Sequence, residues 1–194
     1  MSTVLASLRS LVPMQSLSRG EAMRVAELQA NMLLELAGLT VPPVPEVVIS
    51  AVPRVEIKRL ASIPVSGSAH WAKGHWVVAV NKAESRVRQR FSLAHEFKHV
   101  LDSPFSTFLY LDHQGVTSSE RGEQVADYFA GCLLMPRLWV RRAWREGMHS
   151  IPALSRQFAV SQSAMQVRLL QIGLTAAPVR HIGRNGRRKE EGQR

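Results

Sequence analysis

Cysteine is nearly absent from this chain of 194 residues, which contains one, Cys132. A single cysteine excludes an internal disulfide and a cysteine-built zinc cage, so any metal must be held by histidine and carboxylate side chains. It also fits a reducing compartment, and we expect a cytoplasmic location. No apolar run approaches the roughly 18 residues that a membrane span requires, so we expect no membrane contact.

Acidic residues are scarce as well: 15 Asp and Glu stand against 25 Lys and Arg, which gives a formal charge of +10. Residues 180–194 hold six basic and two acidic side chains, six minus two or +4, and almost no apolar ones. We therefore predict a disordered basic tail over residues 177–194, which could contact DNA or an acidic partner. The hydrophobic fraction of 45% is ordinary for a globular protein, so the remainder can bury a core.

The spacing of apolar residues predicts both helices and strands. The predicted elements are helices over residues 20–38, 87–102 and 123–136, a strand over 54–60, a hairpin over 70–81 and a loop over 104–119. The segment ALSRQFAVSQSAMQVRLLQIG resembles a helix-turn-helix. The predicted organisation is a flexible N-terminal segment (1–19), a main domain (20–136), a helical C-terminal unit (137–176) and the tail (177–194).

Residues 91–104, FSLAHEFKHVLDSP, contain the pattern H-E-x-x-H at His95, Glu96 and His99. Residues four apart lie on one face of a helix, so the two histidines can reach one zinc ion at ~2.0–2.1 Å. Glu96 lies beside that face and can accept a proton from a water that zinc has acidified. The alternative is a chance match to a short pattern, but two histidines without a task would be costly on so apolar a helix. We predict that His95 and His99 bind zinc and that Glu96 is the general base.

A catalytic zinc site needs a third protein ligand. On the predicted helix 123–136, Glu123 can complete the zinc sphere, and Asp127, one turn later, can accept a hydrogen bond from a zinc-bound histidine. Acidic residues at a helix start are also common without a metal, because they suit the helix dipole. Asp102, at the end of the predicted helix 87–102, lies too far along the helix axis from His95 and His99 to reach the ion. Other side chains that a loop could bring to the metal remain open: Asp112, His113 and Glu120.

Two further features of the site are predicted less specifically. Three side chains could donate a hydrogen bond to the oxyanion of the transition state, and no spacing rule selects among them: Tyr110, His113 and Tyr128. The strand HWVVAVN, residues 75–81, precedes the zinc helix, and an exposed edge there could pair with an extended substrate backbone.

The chain resembles the ImmA/IrrE family of metallopeptidases in two segments, RQRFSLAHEFKH and EQVADYFAGCLLMP. This family belongs to the thermolysin-like gluzincin group, in which the third zinc ligand is a Glu on a following helix. The E-x-x-A-D of residues 123–127 matches that third-ligand motif position by position, and the similarity runs from about residue 55 to 174. The resemblance implies an α+β fold in which a small antiparallel sheet packs on the zinc helix. Lys98 departs from the family pattern and is expected to place a positive charge at the rim of the site.

The same resemblance implies a function. It implies a zinc endopeptidase with one Zn²⁺, although a His₂Glu site also suits Mn²⁺ or Fe²⁺. The implied substrate is a helix-turn-helix transcriptional repressor, whose cleavage relieves repression under stress.

The C-terminal unit supports a second hypothesis, a regulator that binds DNA or a repressor without cutting it. Side chains that could meet bases or phosphates are Gln162, Ser163, Gln166 and Arg168, with Arg137, Arg141 and Arg145 at helical spacing. Such a unit can equally serve as scaffold beside a peptidase domain. The intact His95, Glu96, His99 and Glu123 favour the peptidase.

Overall fold

The protein is an α+β structure in which a three-stranded sheet packs on a set of helices, as the sequence predicts. The computed structural model describes residues 3–110 and 115–175. The strands are β1 (Val55–Leu60), β2 (Gly67–Ala72) and β3 (His75–Asn81). The helices are α1 (Val4–Arg9), α2 (Arg19–Leu36), α3 (Val47–Ser50), α4 (Arg86–Asp102), α5 (Ser118–Leu134), α6 (Arg137–Arg145), α7 (Ile151–Phe158) and α8 (Gln162–Gln171), with a 3₁₀ turn at Ser103–Phe105.

The sheet is mixed, with strand order β1-β3-β2, and this corrects the antiparallel sheet that the resemblance implied. β2 and β3 form the expected antiparallel hairpin, whose turn residues Lys73 and Gly74 both have positive φ. β1 pairs with β3 in parallel. The reason is the connection over residues 61–66, which carries the chain past β3, so that β1 and β2 lie on opposite sides of it.

The core lies between β3, α4 and α5. Val78 and Val80 of β3 are fully buried, and Phe97 of α4 packs against Phe129 of α5 with ring centroids 6.3 Å apart. Burying an apolar face on each helix fixes how the helix is rotated about its axis. The polar residues of α4 and α5 are therefore held at defined positions.

Helix α5 begins five residues earlier than predicted. Thr117 and Glu120 form a capping box, in which the Thr117 hydroxyl accepts a hydrogen bond from the Glu120 amide and the Glu120 carboxylate accepts one from the Thr117 amide. As a result, Glu123 lies inside a regular helix rather than at its first position.

The N-terminal segment is packed over its described residues, which corrects the prediction of a flexible segment over 1–19. Leu8 on α1 is fully buried, and Arg9 Nη2 donates a hydrogen bond of 2.7 Å to the Val100 carbonyl on α4. The Leu17 amide donates to the Leu109 carbonyl at 3.0 Å. The local sequence of residues 1–19 indicated a flexible end, because the contacts that hold this segment are made with residues about ninety positions away in the chain.

The predicted C-terminal unit contains α6, α7 and α8. A three-residue connection, residues 159–161, joins α7 to α8, and Ala159 at its start takes a left-handed conformation with φ of 52°. The predicted basic tail lies outside the described residues. Over the described part of the chain, no helix is both long and apolar enough to cross a bilayer.

Candidate metal centre

The two histidines of the HExxH pattern lie one turn apart on α4. Ser85 caps this helix by accepting a hydrogen bond from the Arg88 amide, and the buried Ala94 and Phe97 hold the neighbouring face in the core. His95 and His99 consequently point to the same side. Their Nε2 atoms are 3.1 Å apart.

Helix α5 brings Glu123 to the same point. Its Oε2 is 3.1 Å from His95 Nε2, and its Oε1 is 3.3 Å from His99 Nε2. Three potential ligand atoms, two nitrogens and a carboxylate oxygen, are therefore grouped together, and all lie within 4.8 Å of one another.

This grouping fits a divalent metal ion. Tetrahedral ligands at ~2.0–2.1 Å from a zinc ion are about 3.3–3.4 Å from one another. The 3.1 to 3.3 Å separations among His95, His99 and Glu123 are close to that value. Two imidazole nitrogens and a carboxylate are also the donor set of known catalytic zinc sites, which leave the fourth position open.

Asp127 lies on the far side of His95, as predicted from its place one turn after Glu123. Its Oδ1 is 2.8 Å from His95 Nδ1. Accepting the Nδ1 proton fixes the tautomer of the ring and leaves the Nε2 lone pair free toward Glu123. Burial acts to lower the pKa of His95, but the hydrogen bond and charge of Asp127, with the nearby Glu123 and Glu96, raise it overall.

Glu96 is held beneath the first residue of β2. A Cβ atom added to Gly67 would come 2.8 Å from Glu96 Cγ and 3.0 Å from its Oε1, so the strand approaches this closely only because residue 67 is glycine. Burial raises the pKa of Glu96; the nearby His95 lowers it and Glu123 raises it further. A carboxylate with a raised pKa is a stronger proton acceptor at neutral pH.

A groove of about 610 Å³ runs between β2 and the two helices, and it contains the cluster. β2 is the outer strand next to this groove, whereas β3 is paired on both sides. The prediction that residues 75–81 offer a free edge to substrate is therefore wrong. Sequence reasoning had no signal for strand order, which depends on where the 61–66 connection crosses.

Lys98 corrects another expectation, because it lies in the core rather than at the rim of the site. Only 1% of it is exposed, and its Nζ donates to Gln29 Oε1 at 2.9 Å and pairs with Asp102 Oδ1. Tyr110 donates its hydroxyl proton to Asp102 Oδ2 at 2.6 Å. Burial lowers the pKa of Lys98, and the charge of Asp102 opposes this shift. Both carboxylate oxygens of Asp102 are thus engaged, one by Lys98 and the other by Tyr110.

The three candidate oxyanion donors lie in different places. Tyr110 lines a cavity that also contains His99 and Glu123, but its hydroxyl is bound to Asp102, and burial raises its pKa. Tyr128 donates to Glu27 on α2 and does not line the groove, so the structure gives it no part in the site. His113 lies outside the described residues.

The C-terminal unit presents fewer cations to a DNA groove than predicted. Arg168 is 1% exposed, donates from Nε to the Met135 carbonyl at 2.9 Å and lies 3.6 Å from Glu27 Oε1. Arg141 donates to the Ile172 carbonyl at 3.0 Å, and Arg137 lies 3.3 Å from Glu27 Oε1. Arg137 and Arg168 therefore hold the unit against the rest of the fold, whereas Arg141 joins two parts of the unit itself.

A cluster of two histidines and one glutamate, carried by two helices under a small sheet, defines a metallopeptidase-like domain. The family model of the IrrE N-terminal-like domain, Peptidase_M78, matches residues 53–170. The chain therefore belongs to this family, and the resemblance seen in the sequence is confirmed.

Among solved structures, the fold is similar to that of a Mycobacterium tuberculosis transcriptional regulator, with a TM-score of 0.60 and 17% sequence identity. The match covers 87% of this chain and 52% of that one, so this chain spans about half the length of the regulator. At this identity the likeness concerns the fold alone. No curated protein matches the chain.

Proposed function

We propose that this protein is a zinc-dependent endopeptidase that cleaves a peptide bond in a protein substrate. The observation that carries the proposal is the approach of His95, His99 and Glu123 to within 3.1 to 3.3 Å of one another, with Glu96 in the same groove. When bound there, Zn²⁺ supplies Lewis acidity, which makes a water easier to deprotonate and a carbonyl easier to attack.

The chain's own residues then have distinct tasks. Glu96 accepts the proton that water loses as its oxygen bonds to the carbonyl carbon, and the proton passes to the amine nitrogen when the C–N bond breaks. Asp127 keeps His95 in the tautomer that a metal ligand needs.

The outer edge of β2 gives the substrate a place to bind. Backbone groups on the free edge of an outer strand can pair with an extended peptide, which is a common mode of peptide recognition. β2 borders the groove at Gly67, Ser68 and Ala69, so a peptide added there would lie beside His95, Glu96 and His99.

The proposed substrate is a helix-turn-helix repressor, whose cleavage relieves repression. Membership of the IrrE N-terminal-like family supports this class, and the solved structure of similar fold carries the name of a transcriptional regulator.

The test is to incubate the purified, zinc-loaded protein with a synthetic peptide library, and with any helix-turn-helix repressor that is encoded beside its gene, and to measure cleavage. Glu96→Gln is the matched control, because the amide keeps the shape but cannot accept a proton. We expect a loss of about 10²–10⁴ in rate with unchanged zinc content by elemental analysis. Equal cleavage by both proteins would reject the role of Glu96, and no cleavage by the native protein would reject the enzyme.

The alternative is a regulator that binds DNA or a repressor without cutting it. Gln162, Ser163 and Gln166 on α8 are exposed, which supports a binding role for that face. The engagement of Arg137, Arg141 and Arg168 within the fold weighs against phosphate contacts. Affinity for random duplex DNA that falls steeply with salt would favour this alternative.

A further inference from the structure

A second cavity, of about 390 Å³, opens beside the metal-site groove. Its walls come from the start of α4, the second half of α5 and the outer face of α8. Arg88, Phe91 and Asp127 line both the cavity and the groove, so the two spaces adjoin each other. We call this cavity the α8 pocket.

Most of the exposed surface of the α8 pocket is apolar, although seven of its thirteen lining residues carry polar or charged side chains. Its apolar lining includes Phe91 of α4, the buried Met135 and Val167 of α8, which is 52% exposed. Gly131 of α5 also lines it, and a Cβ added there would meet nothing closer than 4.0 Å. The pocket therefore has the chemistry and the free space to hold an aliphatic or aromatic side chain.

The direction of β2 indicates which part of a peptide would reach the pocket. β2 begins near Arg88, whose Nη2 donates to Ser66 Oγ at 3.1 Å, and continues to Ala69, which lines the cavity on the His99 side. A peptide paired antiparallel to β2, the more stable arrangement per residue, runs the opposite way. Its residues after the scissile bond then extend toward Arg88 and the α8 pocket.

We propose that the α8 pocket is a specificity subsite that binds an apolar side chain of the substrate among the first three residues after the scissile bond. The proposal rests on the peptidase function proposed above. It gives α8 a role in reading protein sequence, by contact with the substrate chain in the groove. A hydrophobic pocket of this kind distinguishes side chains by on the order of 10–200-fold per methylene.

The test uses the full-length, zinc-loaded protein and a synthetic peptide library randomised at every position, with cleavage sites read by mass spectrometry. The native protein should prefer apolar residues at one of the three positions after the cut. Val167→Lys should reduce that preference by on the order of tenfold and favour Asp or Glu there. Gly131→Ala and then Gly131→Leu should shift the preference at that position toward progressively smaller side chains, because each fills more of the pocket.

Gln166→Lys is the matched control, since Gln166 is exposed on the same helix and does not line the pocket. It adds the same charge to α8 and should leave the cleavage profile unchanged. The proposal would be overturned if all variants cleaved at the native rate with the same cleavage-site profile. It would also be overturned if the profile changed only at positions before the cut.

A binding measurement separates this proposal from the peptidase function. The library is passed over immobilised Glu96→Gln protein, alone and combined with Val167→Lys or Gln166→Lys, and the retained peptides are sequenced. One outcome is that the native protein cleaves no peptide, yet Val167→Lys, unlike Gln166→Lys, removes the enrichment of apolar peptides. This outcome supports the pocket and rejects the peptidase function. If neither cleavage nor enrichment depends on Val167, the pocket is rejected.

Discussion

Gly67 lies directly against Glu96, so that any side chain at position 67 would meet the carboxylate proposed as the general base. A Cβ there would be 2.8 Å from Glu96 Cγ, 3.0 Å from its Oε1 and 3.3 Å from the Ala79 carbonyl oxygen. The first two contacts are with a side chain that can rotate away. The strand thus limits where the Glu96 side chain can lie.

Gly67→Ala should therefore impair catalysis while leaving the fold and the metal in place. The added methyl group forces Glu96 to move, and a displacement of about 1 Å at a reacting group can cost on the order of 10²-fold in rate. The measurement is kcat together with zinc content and Tm. Gly20→Ala is the control, because a Cβ at Gly20 meets nothing within 4 Å. A normal kcat for Gly67→Ala would show that the contact does not matter.

Glu123→Ala should abolish tight zinc binding and activity, because it removes one of the three grouped ligand atoms. Glu120→Ala is a matched control one turn earlier on α5. Its carboxylate caps the helix, so its loss should cost about 0.5–2 kcal/mol of stability and leave the zinc in place. Zinc content and the zinc Kd of both folded variants decide the point. The reverse result would exclude Glu123 as the third ligand.

Asp127→Ala should keep all three ligands but weaken zinc binding by roughly 10–100-fold, as loss of a carboxylate behind a metal-bound histidine does. The 2.8 Å contact with His95 Nδ1 is the reason. Competition with a chelator of known affinity measures the change. An unaltered Kd would mean that the orientation of His95 is set by packing alone.

Lys98→Met should destabilise the fold by about 3–5 kcal/mol, because it leaves the carboxylate of Asp102 buried without its cation. The double variant Lys98→Met with Asp102→Asn removes both charges and should unfold at a higher urea concentration than the single variant. Urea unfolding of both proteins measures the difference. If the single variant were as stable as the native protein, the pair would have no structural role.

Cys132 should react slowly with iodoacetamide in the folded protein. Burial raises the pKa of its thiol to about 11, and 1% of the residue is exposed. At pH 8 the thiolate fraction is then on the order of 100-fold lower than in the unfolded chain, and thiolate is the reactive form. Mass spectrometry with and without urea measures the ratio. Rapid alkylation without urea would indicate that the end of α5 opens readily.

The sequence predicted those parts of the site that depend on local spacing. His95 and His99 are one turn apart on one helix, and Glu123 and Asp127 are one turn apart on another. The structure brings these four side chains together. The roles of these side chains as metal ligands and as the orienting group stay predictions, because helical geometry gives the positions of side chains and does not show a bound metal ion.

Features that depend on distant parts of the chain were not predictable. Lys98 looked like a charge at the rim because its partner on α2, Gln29, is 69 positions away. Arg168 looked like a DNA contact because it lies on the second helix of the helix-turn-helix, yet its partners Met135 and Glu27 are outside that segment. Strand order was hidden for the same reason. In each case a contact between remote segments decided the environment of a side chain.

The burial of Arg168 has a consequence for how the chain can be divided. Its guanidinium joins α8 to the Met135 carbonyl at the end of α5, to Glu27 on α2, and to the Tyr128 ring, whose centroid is 5.6 Å away. A protein truncated after residue 136 would lose this cation and expose the apolar side chains that α8 covers. A cut between α5 and α6 would consequently break the contacts that join the peptidase-like part to the helical unit.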